Sequence, residues 1–302
     1  MFNAFDFFYK GIIKLSIIEM QLKIIADAGS TKTDWAILLK DGSLFRFTKT
    51  KGVNPLMESF DSMSYIFKSV KAELPNQAEI SEIHFYGAGC ATTQLCEKVQ
   101  KSLNEIFKAK TISVESDLLG AARAVLQHEK GIAAILGTGS NSCLYDGQNI
   151  IMNTPALGFI LGDEGGGAAL GKRLIGDIFK DQLPSFIKEK FFHSFNINLN
   201  DILESIYRGK TPGAYLASFV PFILENIDSE DMQLLLSDEF TRFFKRNIFN
   251  YPGYETLRIG FVGSIAEVFE PQLKNVANNL GLRVGMIIKS PIYGLINYHN
   301  NN

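Results

Sequence analysis

Cysteine, histidine and tryptophan are all scarce in this chain of 302 residues. The three cysteines, Cys90, Cys96 and Cys143, form no Cys-x-x-Cys pair, and an odd, sparse count excludes a disulfide framework. A reducing, cytoplasmic setting fits best. The four histidines, His84, His128, His193 and His299, lack metal-ligand spacing and read as ordinary structural or surface residues. Charge of one sign is missing too. A formal charge of -2 offers no basic surface for nucleic acid or an anionic membrane. An unbroken apolar run long enough to span a bilayer is also absent. The first 19 residues come nearest, but Asp6, Lys10, Lys14 and Glu19 interrupt them. They show no basic start, unbroken apolar stretch and small-residue cleavage site of a signal peptide. Met20 is followed directly by the first convincing strand, so translation is expected to start there. Residues 1–19 then read as a non-native extension or a loosely ordered tail.

What is present is globular composition, with 46% hydrophobic and 21% charged residues and 24 phenylalanines, in a length sufficient for two domains. From Leu22 the pattern reads strand (LKIIAD), tight turn (AGSTKT), strand (DWAILL), Asp41-Gly42 turn, and strand (SLFRFTK). Asp-Gly between apolar runs is a strong hairpin signal. Helical periodicity over 58–73, a strand EIHFYGAG, a helix near 92–108, a strand TISVES and a helix from Asp117 follow. Then the opening recurs: strand GIAAIL, turn GTGS, strand NSCLY, Asp146-Gly147 turn, strand QNIIM. Superposing Gly29 on Gly139 aligns two three-strand meanders about 110 residues apart, which points to two lobes of related topology. Residues 168–250 read as largely helical, 257–263 as a strand feeding a helix, and a last strand leads to a short helix from Pro291. Strands alternating with helices favour an α/β class with mixed sheets.

Several short motifs have two readings each. Asp27-Ala-Gly-Ser-Thr-Lys-Thr33 and Gly137-Thr-Gly-Ser-Asn141 are either plain hairpin turns or phosphate cradles. In a cradle, glycine lets the backbone approach, and consecutive N–H groups and hydroxyls of Ser30, Thr31, Thr33, Thr138 and Ser140 donate to phosphate oxygens. The first is no Walker A loop, because no Gly-Lys-Thr and no following helix are present. Asp27, ending its strand, is placed to hold Mg²⁺ through water. Gly260-Phe-Val-Gly263-Ser264 lies where a strand feeds a helix; its glycines either serve packing or let a flat ligand such as an adenosine lie close. Ser116-Asp117 is either a helix cap with a dipole-favoured acid or supplies Asp117 as a general base. Gly162-Asp163-Glu164-Gly-Gly-Gly167 is either a loop with helix N-terminal acids or a carboxylate pair facing a polyol. Its three successive glycines, costly in backbone entropy, tilt it toward function.

The order DAGSTKTDW, GAG, SDLLGAA, GTGSNS, GFILGDEGGG, GFVGS resembles the N-acetylglucosamine kinase group of the BadF/BadG/BcrA/BcrD-type ATPase family. That family belongs to the sugar kinase, heat-shock protein and actin superfamily. The resemblance runs from Leu22 to the end, and GTGSNS with a downstream GDEG is its narrowest part. It implies two RNase H-like lobes with mixed sheets flanked by helices and an interlobe cleft, an actin-like ATPase fold. The lobes would span 20–117 and 118–290, with a C-terminal helix in 291–302 packing back on the first. It implies ATP and Mg²⁺, a small-molecule amino sugar as acceptor, no nucleic acid or membrane partner, and a homodimer. Gly29, Ser30, Thr31, Lys32 and Thr33 correspond to the first phosphate turn. Gly137, Thr138, Gly139, Ser140 and Asn141 correspond to the second, and Gly263 and Ser264 to the adenosine motif. Asp117 falls at the catalytic base. Thr138 and Asp163 align with sugar-contacting positions, and Asn54 in GVNP resembles a sugar-contacting asparagine.

The chain departs from the group where Pro55-Leu56 replaces an aromatic. It also has Gly158-Phe159-Ile160 where Gly-Trp-Gly precedes GDEG. These changes leave the identity of the sugar open. The zinc signature of the repressor-related sugar kinases is absent. Two other readings remain: an ATPase energising electron transfer, as in dehydratase activators, and a non-catalytic sugar or nucleotide sensor. Cys90 and Cys96 do not match the cluster ligands of the first. The retained Asp27, Asp117 and Asp163 weigh against the second.

Overall fold

The structure, a computed structural model, describes residues 20–301. The expectations for residues 1–19 lie outside the described residues. Among the described residues the chain divides into two compact units, one of 20–120 with 291–301 and one of 121–290.

The first unit is built on a five-stranded sheet of β1 (Gln21–Ala28), β2 (Lys32–Leu39), β3 (Leu44–Lys51), β4 (Glu79–Gly87) and β5 (Thr111–Ser116), in the order β3-β2-β1-β4-β5. The first three strands form an antiparallel meander, and β4 and β5 run parallel to β1. Alternation decides which face each residue takes. Leu22, Ile24, Ala26, Trp35, Ile37, Ile83 and Phe85 pack against helices α1 (Phe60–Ala72) and α2 (Thr93–Phe107), with Phe67, Val70, Val99 and Leu103 completing that core. Trp35, fully buried, meets Phe67 edge-on at 5.8 Å between ring centroids.

The opposite face carries Lys23, Asp27, Asp34, Glu82, His84 and Tyr86, set by the cross-strand pairs Asp27↔Asp34, Asp27↔Tyr86 and Lys23↔Glu82. The C-terminal helix, Ile292–Asn300, packs there. His299 stacks on His84 at 3.8 Å, and its Nε2 lies 2.8 Å from Tyr86 Oη. Lys23 Nζ donates to the His299 carbonyl, and Tyr293 stacks on Phe47.

The second unit repeats the plan. Strands β6 (Gly131–Leu136), β7 (Ser140–Tyr145), β8 (Ile150–Thr154), β9 (Arg258–Val262) and β10 (Arg283–Ile288) stand in the order β10-β9-β6-β7-β8. Again the first three form an antiparallel meander and the last two run parallel to the first. The recurrent strand-turn-strand pattern in the sequence is therefore a recurrent topology. Helix α3 (Asp117–Leu126) begins in the first unit and ends in the second. After the short α4 (Gly158–Leu161), the residues expected to be largely helical supply α5 (Gly167–Phe179), α6 (Ser185–Phe195), α7 (Leu199–Tyr207), α8 (Pro212–Ala217), α9 (Val220–Glu225) and α10 (Glu230–Arg246). Phenylalanines concentrate in this core. Phe191 lies 5.3 to 5.7 Å from Phe219 and Phe222 and 4.8 Å from Phe195, centroid to centroid. Among the described residues, no helix is long and apolar enough to cross a membrane.

Removing a fully buried ring at such a junction leaves a cavity that its neighbours fill poorly. Phe191→Ala is expected to destabilise the second unit by about 3–5 kcal/mol, read as a lowered urea midpoint with the near-ultraviolet aromatic signal following the same transition.

Candidate functional site

Parallel strands bring their carboxyl ends to one edge. In the first unit Ala28, Gly87 and Ser116 stand side by side in register. The first glycine turn, the Gly87–Cys90 loop and Asp117 therefore leave the sheet from the same edge, the place where open α/β sheets bind ligands. The first turn is closed by Gly29 N–H donating to the Lys32 carbonyl, at 2.9 Å. Ser30, Thr31 and Lys32 are exposed, whereas Thr33 is buried and donates through Oγ1 to the Lys51 carbonyl. Gly52 N–H donates to the Thr31 carbonyl at 2.9 Å, and Asn54 Nδ2 donates to Ser30 Oγ at 3.0 Å.

Asp27, half-buried at the end of β1, sits directly opposite Asp34. Two carboxylates opposite each other repel. Lys32, at 3.1 Å, and Lys49, at 3.9 Å, offset the buried Asp34. With Asp34 engaged by the two lysines, Asp27 is the carboxylate beside this phosphate-sized turn that suits a hard divalent cation. Among the described residues no group of three or more His, Cys, Asp or Glu is arranged for a metal. Such a donor set fits Mg²⁺, which keeps most of its water and relies on phosphate oxygens, better than an ion needing an all-protein cage. In the sequence, Asp34 is marked only by its place flanking the turn symmetrically with Asp27.

Asp117 opens α3. Ser116 Oγ accepts from Leu119 N–H at 3.2 Å as a helix cap, and Asp117 Oδ1 accepts from Leu118 N–H at 2.9 Å. The cap reading of this dipeptide is therefore what the hydrogen bonds display. Burial raises the Asp117 pKa, and the hydrogen bond from Leu118 N–H opposes that rise. Desolvation makes the carboxylate a stronger base than an exposed aspartate.

In the second unit the turn Gly137–Gly139 joins β6 to β7, with Gly137 N–H donating to the Gly139 carbonyl. The first N–H groups of α5 donate back to this turn, Gly167 to the Gly137 carbonyl and Ala168 to the Thr138 carbonyl, each at 2.8 Å. That uses donors which a helix start leaves unpaired. Asp163, in the left-handed conformation at φ 59, accepts from Ser140 N–H at 3.1 Å and packs its carboxylate against Gly139. Burial raises its pKa, the Ser140 hydrogen bond and the charge of Lys172 lower it, and neighbouring Glu164 raises it. Asn141 accepts from Ser142 N–H and from Asn153 Nδ2. Glu164 is buried and pairs with Arg246 at 2.5 Å and Asn247 at 3.4 Å. Those partners come from some eighty residues downstream, and no local signal announces them. Gly158 is exposed at φ 74, and Phe159 beside it is tied through its carbonyl to Lys172 Nζ.

Gly263, at φ 125, brings the β9 end so close to β6 that a Cβ would sit 2.2 Å from the Leu136 carbonyl. The Gly263–Ser264 start of helix Ser264–Val268 therefore lies against the second glycine turn. The structure thus brings 29–33, Asp27, Asn54 and Asp117 to one edge of the first unit, and 137–141, Asp163 and Gly263–Ser264 together in the second. Cys90 is buried with its thiol pushed up to about 12, and burial raises Cys96 as well.

Two sheets of one topology, each with a glycine-rich hairpin turn at the carboxyl ends of its parallel strands, define the actin-like ATPase fold. The protein named "putative N-acetylglucosamine kinase" from Porphyromonas gingivalis is 39% identical, with a TM-score of 0.87 over 92% of this chain and 99% of that one. A protein of the same name from Chromobacterium violaceum matches at 16% identity and a TM-score of 0.72, over 93% and 99% of the two chains. A ROK family glucokinase from Streptomyces griseus, solved with glucose and AMPPNP, shares the fold at 13% identity and a TM-score of 0.52, over 92% and 97%. No family model matches the chain. No curated protein matches it. At that identity and coverage to the Porphyromonas protein, the chain belongs to the N-acetylglucosamine kinase group of the BadF/BadG/BcrA/BcrD-type ATPases.

Because no side chain fits at Gly263 without moving the Leu136 carbonyl, Gly263→Ala is expected to cost about 1–3 kcal/mol in strain. The measurement is the melting temperature with and without ADP; the variant should gain less from ADP than the wild type does.

Proposed function

We propose that this protein is an ATP-dependent sugar kinase whose acceptor is an amino sugar, N-acetylglucosamine at its 6-hydroxyl. The observation that carries the reading is Asp117: a desolvated carboxylate at the same sheet edge as a glycine-rich turn, in a chain 39% identical to a protein named for that activity.

In this reading Ser30–Thr33 and Gly137–Asn141 hold the phosphates with backbone N–H groups and hydroxyls. Gly263 and Ser264 lie along the adenosine. Asp117 takes the proton of the acceptor hydroxyl as the sugar oxygen bonds to the γ-phosphorus, and the bond from the γ-phosphorus to the β-phosphate oxygen breaks to release ADP. Mg²⁺, held through water by Asp27, would neutralise charge on the phosphates. Asn54 and Asp163 accept or donate at sugar hydroxyls, with Thr138 and Gly158 beside them. Glu164, already engaged by Arg246 and Asn247, positions the Gly162–Gly167 loop instead of reaching the sugar alone. Phosphoryl transfer gains mostly from such positioning and electrostatics.

The electron-transfer reading needs cysteines that ligate as thiolates. Buried Cys90, pushed up to about 12, does not favour that.

The deciding experiment is ADP release with a panel of amino and neutral sugars. Stimulation by amino sugars alone supports the proposal; release indifferent to sugar means an ATPase; no release with any sugar means a sensor. Asp117→Asn should lower turnover at least about a hundredfold while leaving ADP binding intact, and turnover near wild type removes Asp117 from the role. The raised pKa also has a sign. Activity needs the ionised carboxylate, so it is lost as pH falls through a value above the ordinary 3.8. The acid limb of kcat/KM should therefore lie above that value, and a limb at or below it contradicts the assignment.

A further inference from the structure

Asn54 lies at a junction of three loops within the first unit. Its Oδ1 accepts from Leu56 N–H at 3.0 Å, and its own carbonyl accepts from Met57 and Glu58 N–H. Lys98 Nζ fastens the same loop from outside, donating to the Pro55 and Glu58 carbonyls at 2.8 and 2.7 Å. On the far side the carboxamide packs against Gly89, where a Cβ would stand 2.2 Å from Oδ1. With Oδ1 committed to Leu56, the amide group of Asn54 must face Ser30, and Nδ2 donates to Ser30 Oγ at 3.0 Å.

A serine oxygen that accepts a hydrogen bond has its own hydrogen left to donate. We infer that Asn54 is a positioning residue for the nucleotide: by donating to Ser30 Oγ it turns the Ser30 hydroxyl hydrogen outward, as a donor to a phosphate oxygen. The inference rests on the reading that Ser30–Thr33 holds phosphate, and adds to it a role distinct from sugar contact. The carboxamide keeps a second N–H and a second lone pair on Oδ1 for an acceptor hydroxyl. One side chain then serves the phosphate turn and the acceptor loop together. Seating of the sugar stiffens the group that orients Ser30.

Titration calorimetry with ADP, in the absence of any sugar, tests this without the acceptor contact. Asn54→Ala and Ser30→Ala are each expected to weaken ADP binding about tenfold, the scale of one hydrogen bond to a charged group. The double variant should bind no more weakly than either alone, because both remove the same donor. Asn54→Asp is the sharper variant. It keeps the acceptor for Leu56 N–H and hence the loop, but accepts the Ser30 hydrogen and places a charge beside the phosphate. It should bind ADP more weakly than Asn54→Ala. Asn54→Asp or Asn54→Ala binding ADP like the wild type overturns the inference while leaving the nucleotide site standing. Additive losses in the double variant overturn it as well. A wild type that binds no ADP overturns the phosphate reading and the inference with it.

Discussion

Parallel strands must deliver their carboxyl ends to the same edge, and this chain places its chemistry on that constraint twice. Once β4 and β5 align with β1, the first glycine turn, the Gly87–Cys90 loop and Asp117 have nowhere else to emerge. Once β9 aligns with β6, Gly263 comes against Leu136 and the second turn. The antiparallel meander in front of each parallel pair supplies the other requirement. A hairpin turn of three or four small residues can expose its N–H groups only because flanking strands tie down both its ends. Neither sheet needs long loops to assemble a site, so the loops that exist can be fastened tightly.

The carboxylates sort by what surrounds them. Asp34 and Glu164 are buried with cations, Lys32 and Lys49 for one and Arg246 for the other. Breaking such pairs strands a charge in a dry place, which makes them structural commitments. Asp117 and Asp163 are held instead by backbone N–H groups, and desolvation raises both. Lys172 pulls Asp163 partly back down, whereas only backbone N–H groups oppose the rise of Asp117, and a carboxylate desolvated in that way stays basic. That difference in partner, not the number of acids, separates a group that shapes a loop from one suited to take a proton.

Local pattern made much of this legible. The Asp-Gly turns and alternating apolar runs marked both meanders, and their recurrence from Gly29 to Gly139 announced the shared topology that the two sheets display. Helix 92–108 was readable because Thr92 caps it and its apolar spacing is regular. The partners of Glu164 were not readable, since Arg246 and Asn247 reach it only through the packing of α10. Nor were the His84–His299 stack and the Tyr86–His299 bond, formed across more than two hundred residues. Asp34 stood in plain view beside the first turn, but its pairing with Asp27 is a fact of register. Sequence motifs name the groups on a turn; strand register and distant side chains decide which of them are spoken for.

The two glycine turns are also not equivalent, although their strands are. The second is anchored by backbone. Donors from the start of α5 occupy the carbonyls of Gly137 and Thr138, and Asp163 takes the Ser140 N–H. The two carbonyl anchors come from the first turn of a largely buried helix, and the third from the loop that leads into it. Both turns run straight into a strand, but the helix start that donates to the second turn comes from the later helix α5. The outer fastenings of the first turn are Gly52 N–H on the Thr31 carbonyl and one carboxamide on Ser30. A side-chain hydrogen bond is easier to perturb than a helix start, because a rotation about two bonds breaks it. The topological repeat therefore yields one turn fixed by the core and one whose hydroxyl depends on the loop through Asn54. In the proposed reading, a ligand arriving at that loop would be felt at the phosphates through the Asn54–Ser30 hydrogen bond.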